Sequence, residues 1–283
     1  MLSQNLIHHF ENLLSKKIIN TMPLSGGDIN DVYLLISNDE KLVVKLNSAS
    51  RYPGMFNAET NGLKELKKSR TFAVPEVLQF GEYNDTAFLI LQYIETGRQA
   101  KNFWQVFGRQ LADLHKKSES YFGFKNDNYI GSLPQYNTHY ATASEFYITQ
   151  RLHPQFKIAI QKGFSFKNLD DFYASIETKI PDEVSSLIHG DLWNGNFMIG
   201  QDGVPCLIDP AIAFAPREMD IAMMKLFGGF DQELFKVYNE AFPLVENWEE
   251  RIAIWQLYYL LVHLNLFGSS YLSQVHSILK RYS

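Results

Sequence analysis

The sequence predicts an α+β chain of two lobes, an N-terminal antiparallel sheet lobe with one helix and a larger, mainly helical C-terminal lobe. Three observations predict it. Residues up to about 95 read as β-rich runs separated by turns, residues from about 96 carry apolar side chains at helical spacing, and an island of short strands interrupts the helical part near 187–209. With 283 residues and 46% hydrophobic content, the chain has enough apolar material to bury a core without covalent staples.

In the first part, Val32 to Ile36 and Leu42 to Leu46 flank the polar NDEK, the pattern of a hairpin. Ala58 to Lys68 follows as a helix whose inward face carries Glu59, Gly62, Leu63 and Leu66 at i, i+3, i+4 and i+7. Val74 to Phe80 and Ala87 to Ile94 form a second strand pair around GEYNDT. Beyond the boundary near 95, Phe103, Phe107, Leu111 and Leu114 share one helical stripe, and further helices are expected near 140–152, 168–178, 217–227 and 248–267. The strand island comprises LIH at 187–189, then FMIG at 197–200 and PCLID at 205–209 joined by the turn QDG. The expected division is thus 1–95 and 96–283.

Composition excludes several functions. A formal charge of −5 with 20% charged residues offers no basic surface for nucleic acid. The single cysteine, Cys206, cannot form an intramolecular disulfide, and no Cys/His group has zinc spacing. MLSQNLIHHFENLL lacks the basic start and unbroken apolar run of an export signal, and Ile252 to Phe267 is interrupted by Gln256, His263 and Asn265 and too short to span a bilayer. A cytoplasmic protein without membrane insertion is expected.

The chemistry concentrates in His189-Gly190-Asp191-Leu192-Trp193-Asn194-Gly195-Asn196, which follows a short apolar strand, and in Asp209 after the next hairpin. Protein kinases place an Asp and, five residues on, an Asn in the catalytic loop, followed by a further metal-binding Asp. Asp191, Asn196 and Asp209 reproduce that order. The pattern assigns Asp191 to orient and deprotonate an attacking hydroxyl, with Asn196 and Asp209 as hard oxygen donors for Mg²⁺ on ATP phosphates. His189 reads as a prop for the loop.

Lys45 lies inside the apolar strand LVVKLN, where an ammonium is costly to bury unless an anion meets it; a nucleotide phosphate and Glu59 both serve. Snorkelling to solvent at a sheet edge is the competing reading. Gly26 and Gly27, just ahead of the first hairpin, are candidates to bring backbone N–H groups to phosphates, although two glycines in a turn are more often only a turn. After Asp209 come Pro210, Ala211 and soon the helix REMDIAMMKLF, which leaves no room for the activation loop of a protein kinase. A small acceptor is therefore favoured over a protein.

HGDLWNGNFMI, LIDPA, REMDIAM and LFGGF resemble the fructosamine kinase (ketosamine 3-kinase) family, relatives of aminoglycoside phosphotransferases. PLSGGDINDVYLL, VVKLN, FNAETNGLKEL, LADLH, DNYIGSLPQYN and LVHLNLFGSSY extend the resemblance through most of the chain. It implies a two-lobed protein-kinase-like fold, ATP as donor, and a ketosamine acceptor phosphorylated at the sugar O3, in repair of glycated amines. Carried over by position, Asp191 is the base, Asn196 and Asp209 the metal ligands, and Lys45 with Glu59 the phosphate-positioning pair. Gln92, Tyr93 and Ile94 form the adenine-facing connection, and Trp193 either covers a sugar face or packs under the loop.

The chain departs from many family members in having Asp28 where they carry a cysteine associated with redox-controlled dimerisation, so that control is not expected; Cys206 reads as a small buried hydrophobe. Asp220, in REMD, matches a family position and reads as a helix cap or a brace for the catalytic loop. His263 and Asn265 either line the acceptor pocket or satisfy each other. Rival readings are an aminoglycoside, choline or amino-alcohol acceptor on the same scaffold, or a nucleotide-binding pseudokinase. The oligomeric state is left open, a monomer being compatible with the sequence.

Overall fold

The computed structural model describes residues 2–24 and 29–282. Its elements run α1 (Gln4–Leu14), β1 (Ile18–Pro23), β2 (Asp31–Ser37), β3 (Lys41–Ser48), α2 (Met55–Ser69), β4 (Val77–Tyr83), β5 (Thr86–Gln92), α3 (Phe103–His115), β6 (Asn128–Ile130), β7 (Leu133–Gln135) and α4 (Ala143–Phe146). A π-helical stretch, Tyr147–Leu152, leads into α5 (His153–Gln161). Then follow α6 (Leu169–Glu177), β8 (Ser186–Ile188), β9 (Phe197–Ile199), β10 (Pro205–Leu207), β11 (Ala213–Ala215), α7 (Glu218–Phe227), α8 (Gln232–Ala241), α9 (Trp248–Phe267) and α10 (Leu272–Tyr282).

Two compact units result: Met1–Gln99 with Met198–Ile208, and Ala100–Phe197 with Asp209–Ser283. The sequence reading put a single boundary near 95; the segment 198–208 instead joins the first unit, where Ala73 bridges Cys206 and Thr96 bridges Gly200.

In the first unit, five antiparallel strands lie in the order β1-β2-β3-β5-β4. The period of two along a strand decides what each face meets. Leu42, Val44 and Leu46 of β3 and Phe88 and Ile90 of β5 turn to one side, where they pack with Leu6 and Phe10 of α1. Ala87, Leu89 and Leu91 turn to the other, against Phe56 and Leu63 of α2. α1 joins the sheet and helix expected from sequence. Ser3 caps it, Oγ accepting from Leu6 N at 3.3 Å, and Phe10 is fully buried. Burying such a ring contributes about 1.5–3 kcal/mol. Lys45 lies between Val44 and Leu46, so the same alternation turns it toward the α2 side.

The second unit is built around α9. A helix apolar on every side belongs in a core, and Ile254, Trp255, Leu257, Tyr258, Leu260 and Leu261 are all buried. It packs with α5, α7 and α10. The short pair β8 and β11, with Ile188 opposite Ala213, lies in the same core and delivers the chain to His189. No helix among the described residues is long and apolar enough to cross a membrane.

Candidate active site

In the first unit, Lys45 Nζ lies 2.9 and 3.0 Å from the two carboxylate oxygens of Glu59. Their side chains are only 7% and 10% exposed, so a charged pair stands on the buried face predicted for the helix. Snorkelling is thereby excluded for Lys45. Keeping two ions out of water is costly unless each meets the other, and both oxygens of Glu59 are engaged.

β5 ends at Gln92, which pairs with Leu42 of β3 and receives the Glu76 backbone N–H on its side-chain oxygen at 3.3 Å. Tyr93, Ile94 and Glu95 run beyond the last paired residue and, with Gln92, Gln201 and Asp202, line an open cavity of about 510 Å³. The last two come from the turn between β9 and β10 and were not singled out in sequence. Gly97 permits this arrangement, because a side chain there would meet Gly200 O at 2.4 Å and Gln201 O at 2.6 Å. Gly97→Ala is expected to cost about 1–3 kcal/mol through overpacking, read as a lower urea midpoint, and to weaken any ligand of this cavity. Gly26 and Gly27 lie outside the described residues.

In the second unit, the segment after β8 makes a tight loop fixed from several sides. Gly190 has φ +82°, and a Cβ there would lie 2.0 Å from Ala211 O, so only glycine fits. Asn196 donates from Nδ2 to Asp191 O at 2.8 Å and to Asp191 Oδ2 at 3.1 Å, which turns its own Oδ1 into the available acceptor. His189 Nδ1 accepts from Asp191 N at 3.3 Å. The indole of Trp193, 40% exposed, lies over Gly195, where a Cβ would come within 2.4 Å of the ring.

Asp220 is fully buried and does not cap its own helix, whose N-cap is Arg217. Its carboxylate accepts the backbone N–H of His189 at 2.7 Å and of Gly190 at 2.9 Å, and lies 3.2 Å from His115 Nε2. A carboxylate accepts only, so Nε2 carries the hydrogen, and His115 Nδ1 faces Tyr238 OH at 2.9 Å. Tyr259 OH donates to Gly190 O at 3.1 Å.

Asp209 comes two residues past the end of β10 and has φ +53°, a left-handed conformation that Asp tolerates better than most residues. The chain beyond it is pinned by side chains: Gln135 Nε2 donates to Ala211 O at 3.0 Å and Asn128 Nδ2 to Ile212 O at 2.8 Å. Sequence reading missed His115, Asn128, Gln135 and Tyr259 as individual residues. Their signal was present only as the strings LADLH and DNYIGSLPQYN and the aromatic run of α9.

Burial, and next the charge of Asp209, push the Asp191 carboxyl up to about 7; Asp220 adds to the effect and the Asn196 hydrogen bond opposes it. The site thus crowds negative charge that a cation would relieve. No group of three or more His, Cys, Asp or Glu among the described residues is arranged to hold a metal ion alone. One carboxylate with one amide oxygen suits Mg²⁺, which keeps waters and phosphate oxygens in its shell, so the donor set fits that ion. Elsewhere, burial and then Asp202 push the Cys206 thiol up to about 12, the behaviour of an inert buried hydrophobe. His263 and Asn265 do not satisfy each other: His263 Nδ1 bonds Tyr259 O, and Asn265 Nδ2 bonds Gln155.

The fructosamine kinase family model matches residues 2–283. A probable ketoamine kinase of Enterococcus faecium is 37% identical, over 95% of this chain and 96% of that protein. A second, from Vibrio parahaemolyticus, is 38% identical over 93% and 92%. The crystal structure of a Haemophilus somnus protein assigned as a fructosamine-3-kinase superposes with a TM-score of 0.90 at 27% identity, covering 98% of this chain and 96% of that one. A spectinomycin phosphotransferase, at 15% identity and a TM-score of 0.56 over 99% and 94%, shares the kinase-like fold alone. The chain therefore belongs to the fructosamine kinase family and is an ATP-dependent small-molecule kinase.

Proposed function

We propose that this kinase transfers the γ-phosphoryl group of ATP to a sugar hydroxyl, O3, of a ketosamine such as a fructosyl- or ribulosyl-amine, in repair of glycated amines. The observation that carries the reading is the loop around Asp191, fixed by Asp220, Asn196 and Tyr259 within a chain that matches the fructosamine kinase family from end to end.

In this mechanism Asp191 orients the acceptor hydroxyl and takes its proton as the O–H bond breaks. The freed oxygen forms the new P–O bond while the bond to the β-phosphate breaks and ADP leaves. Asn196 Oδ1 and the Asp209 carboxylate would hold Mg²⁺, which when bound neutralises phosphate charge. Asp220 and Tyr259 keep Gly190 and Asp191 from drifting, so no loop ordering is needed at the moment of transfer. Lys45, aimed by Glu59, holds the nucleotide phosphates, and the cavity at Gln92, Tyr93 and Ile94 receives the adenine. Trp193 offers an exposed ring face to the sugar.

Lys45→Met keeps the stem but removes a charge-assisted hydrogen bond worth about 1.5–3 kcal/mol, so kcat/KM for ATP is expected to fall roughly 10- to 150-fold. Unchanged ATP kinetics would remove Lys45 from the phosphate site. The reading as a whole is tested by incubating the protein with MgATP and fructosyl-benzylamine and following the sugar by ¹³C and ³¹P NMR. Phosphorus coupling at C3, followed by release of free amine, is the expected result. Phosphate on another carbon, with the amine retained, would refute both the O3 assignment and the repair role.

A further inference from the structure

Helix α9 turns two side chains the same way, one turn apart. Tyr259 reaches Gly190 O, beside Asp191, and His263 lies four residues on, about 6 Å further along the helix axis. His263 Nδ1 is 2.8 Å from Tyr259 O. A carbonyl oxygen only accepts, so Nδ1 carries the hydrogen and Nε2 of the neutral ring is a lone-pair acceptor. Burial lowers the pKa of His263 from the ordinary histidine value, which keeps the ring neutral at pH 7.

Three rings surround this imidazole: Phe227 at 4.7 Å, Tyr271 at 5.1 Å and Phe267 at 5.5 Å between centroids. Phe227 and Phe267 are 39% and 51% exposed, so large apolar faces stay in water beside the half-buried imidazole. The chain just past Phe227 also approaches the loop that carries Asp191. Gly229, two residues after Phe227 and at φ +87°, comes so near that a Cβ on it would lie 2.6 Å from Asn194 Cβ.

A neutral nitrogen lone pair ringed by aromatic faces repels anions and suits a positively charged N–H donor with an apolar substituent. We propose that His263, Phe227, Phe267 and Tyr271 form the subsite for the amine end of the acceptor, with Nε2 accepting the N–H of a secondary ammonium and the rings flanking its charge and its apolar substituent. This rests on the ketosamine reading. In such an acceptor the nitrogen is only a few bonds from O3, so a hydroxyl held at Asp191 leaves the ammonium about one helical turn away, the distance that separates Tyr259 from His263.

The test measures KM and kcat for fructosyl-benzylamine and for fructose in the parent chain and in His263→Leu, His263→Gln and Phe267→Ala. Phe267 is largely exposed, so its truncation should leave the fold intact. His263→Leu and Phe267→Ala are each expected to raise KM for fructosyl-benzylamine about tenfold, with the effect on KM and not kcat and with KM for ATP unmoved. The preference over fructose narrows, and His263→Gln, which retains an acceptor, recovers part of it. An unchanged KM, or equal losses on both acceptors, would overturn the subsite while leaving ketosamine phosphorylation standing. A parent chain that phosphorylates no ketosamine would sink the underlying reading first, and the subsite with it.

Discussion

Asp191→Ala is expected to lower kcat by about 10²–10⁴-fold, the usual contribution of a positioned general base, with little change in thermal midpoint. The two halves of this result have separate causes. In the proposed mechanism turnover falls because Asp191 orients the hydroxyl and takes its proton. The fold survives because Asn196 keeps its bond to the Asp191 backbone oxygen, and Asp220 and Tyr259 continue to hold Gly190. Loss of a carboxyl that burial and Asp209 both oppose also removes an unfavourable interaction from the native state. Steady-state kinetics at saturating MgATP, together with a melting curve, check both halves. Normal turnover in the variant would remove Asp191 from the chemistry.

Asp220→Ala is expected to behave in the opposite way, failing first in stability. The carboxylate satisfies two buried backbone N–H groups and faces His115 Nε2, and alanine takes that acceptor away from all three donors. Orphaned buried donors of this kind cost about 1–3 kcal/mol each and do not simply add, so a loss of about 3–5 kcal/mol is expected. That is a large part of the 5–15 kcal/mol, roughly, by which domains are stable. Urea unfolding should show a lower midpoint at unchanged slope. Asp220→Asn, which keeps the volume but brings an NH₂ group toward these donors, should fall between the parent and alanine. A midpoint shift worth less than about 1 kcal/mol would mean that Asp220 does not brace the loop.

The parts of this site that were legible in the sequence are those that local chain geometry dictates. Asn196 comes five positions after Asp191, and a loop that short brings its amide back onto the Asp191 carboxylate. Lys45 stood out as an ammonium inside an apolar strand, the helical period put Glu59 on an inward face, and the two side chains meet at 2.9 Å. α9 was visible as a long apolar run because a helix buried on every side needs no polar face. The expected helices near 168–178, 217–227 and 248–267 correspond to α6, α7 and α9.

Other features depend on partners far away in the chain. α1 buries only Leu6 and Phe10, too sparse a stripe to stand out beside its polar residues, and α8 likewise buries only three. His115 faces a carboxylate 105 residues away, and Tyr259 reaches a carbonyl 69 residues away, so no spacing rule assigns them a role. Gln201 and Asp202 looked like an ordinary turn. They line the cavity at Gln92 only because the strands around them pack with the first unit. Asp220 was recognised as either cap or brace, and its buried carboxylate on two loop amides fits the second role.

The identity of the acceptor is measured most directly by following ATP consumption by the purified protein with Mg²⁺ across fructosyl- and ribulosyl-amines, spectinomycin, hygromycin B, choline and a simple amino alcohol. The account predicts turnover with the ketosamines, abolished by Asp191→Ala, and none with the others. Turnover confined to an aminoglycoside or choline, or nucleotide binding without turnover on any of them, would contradict it.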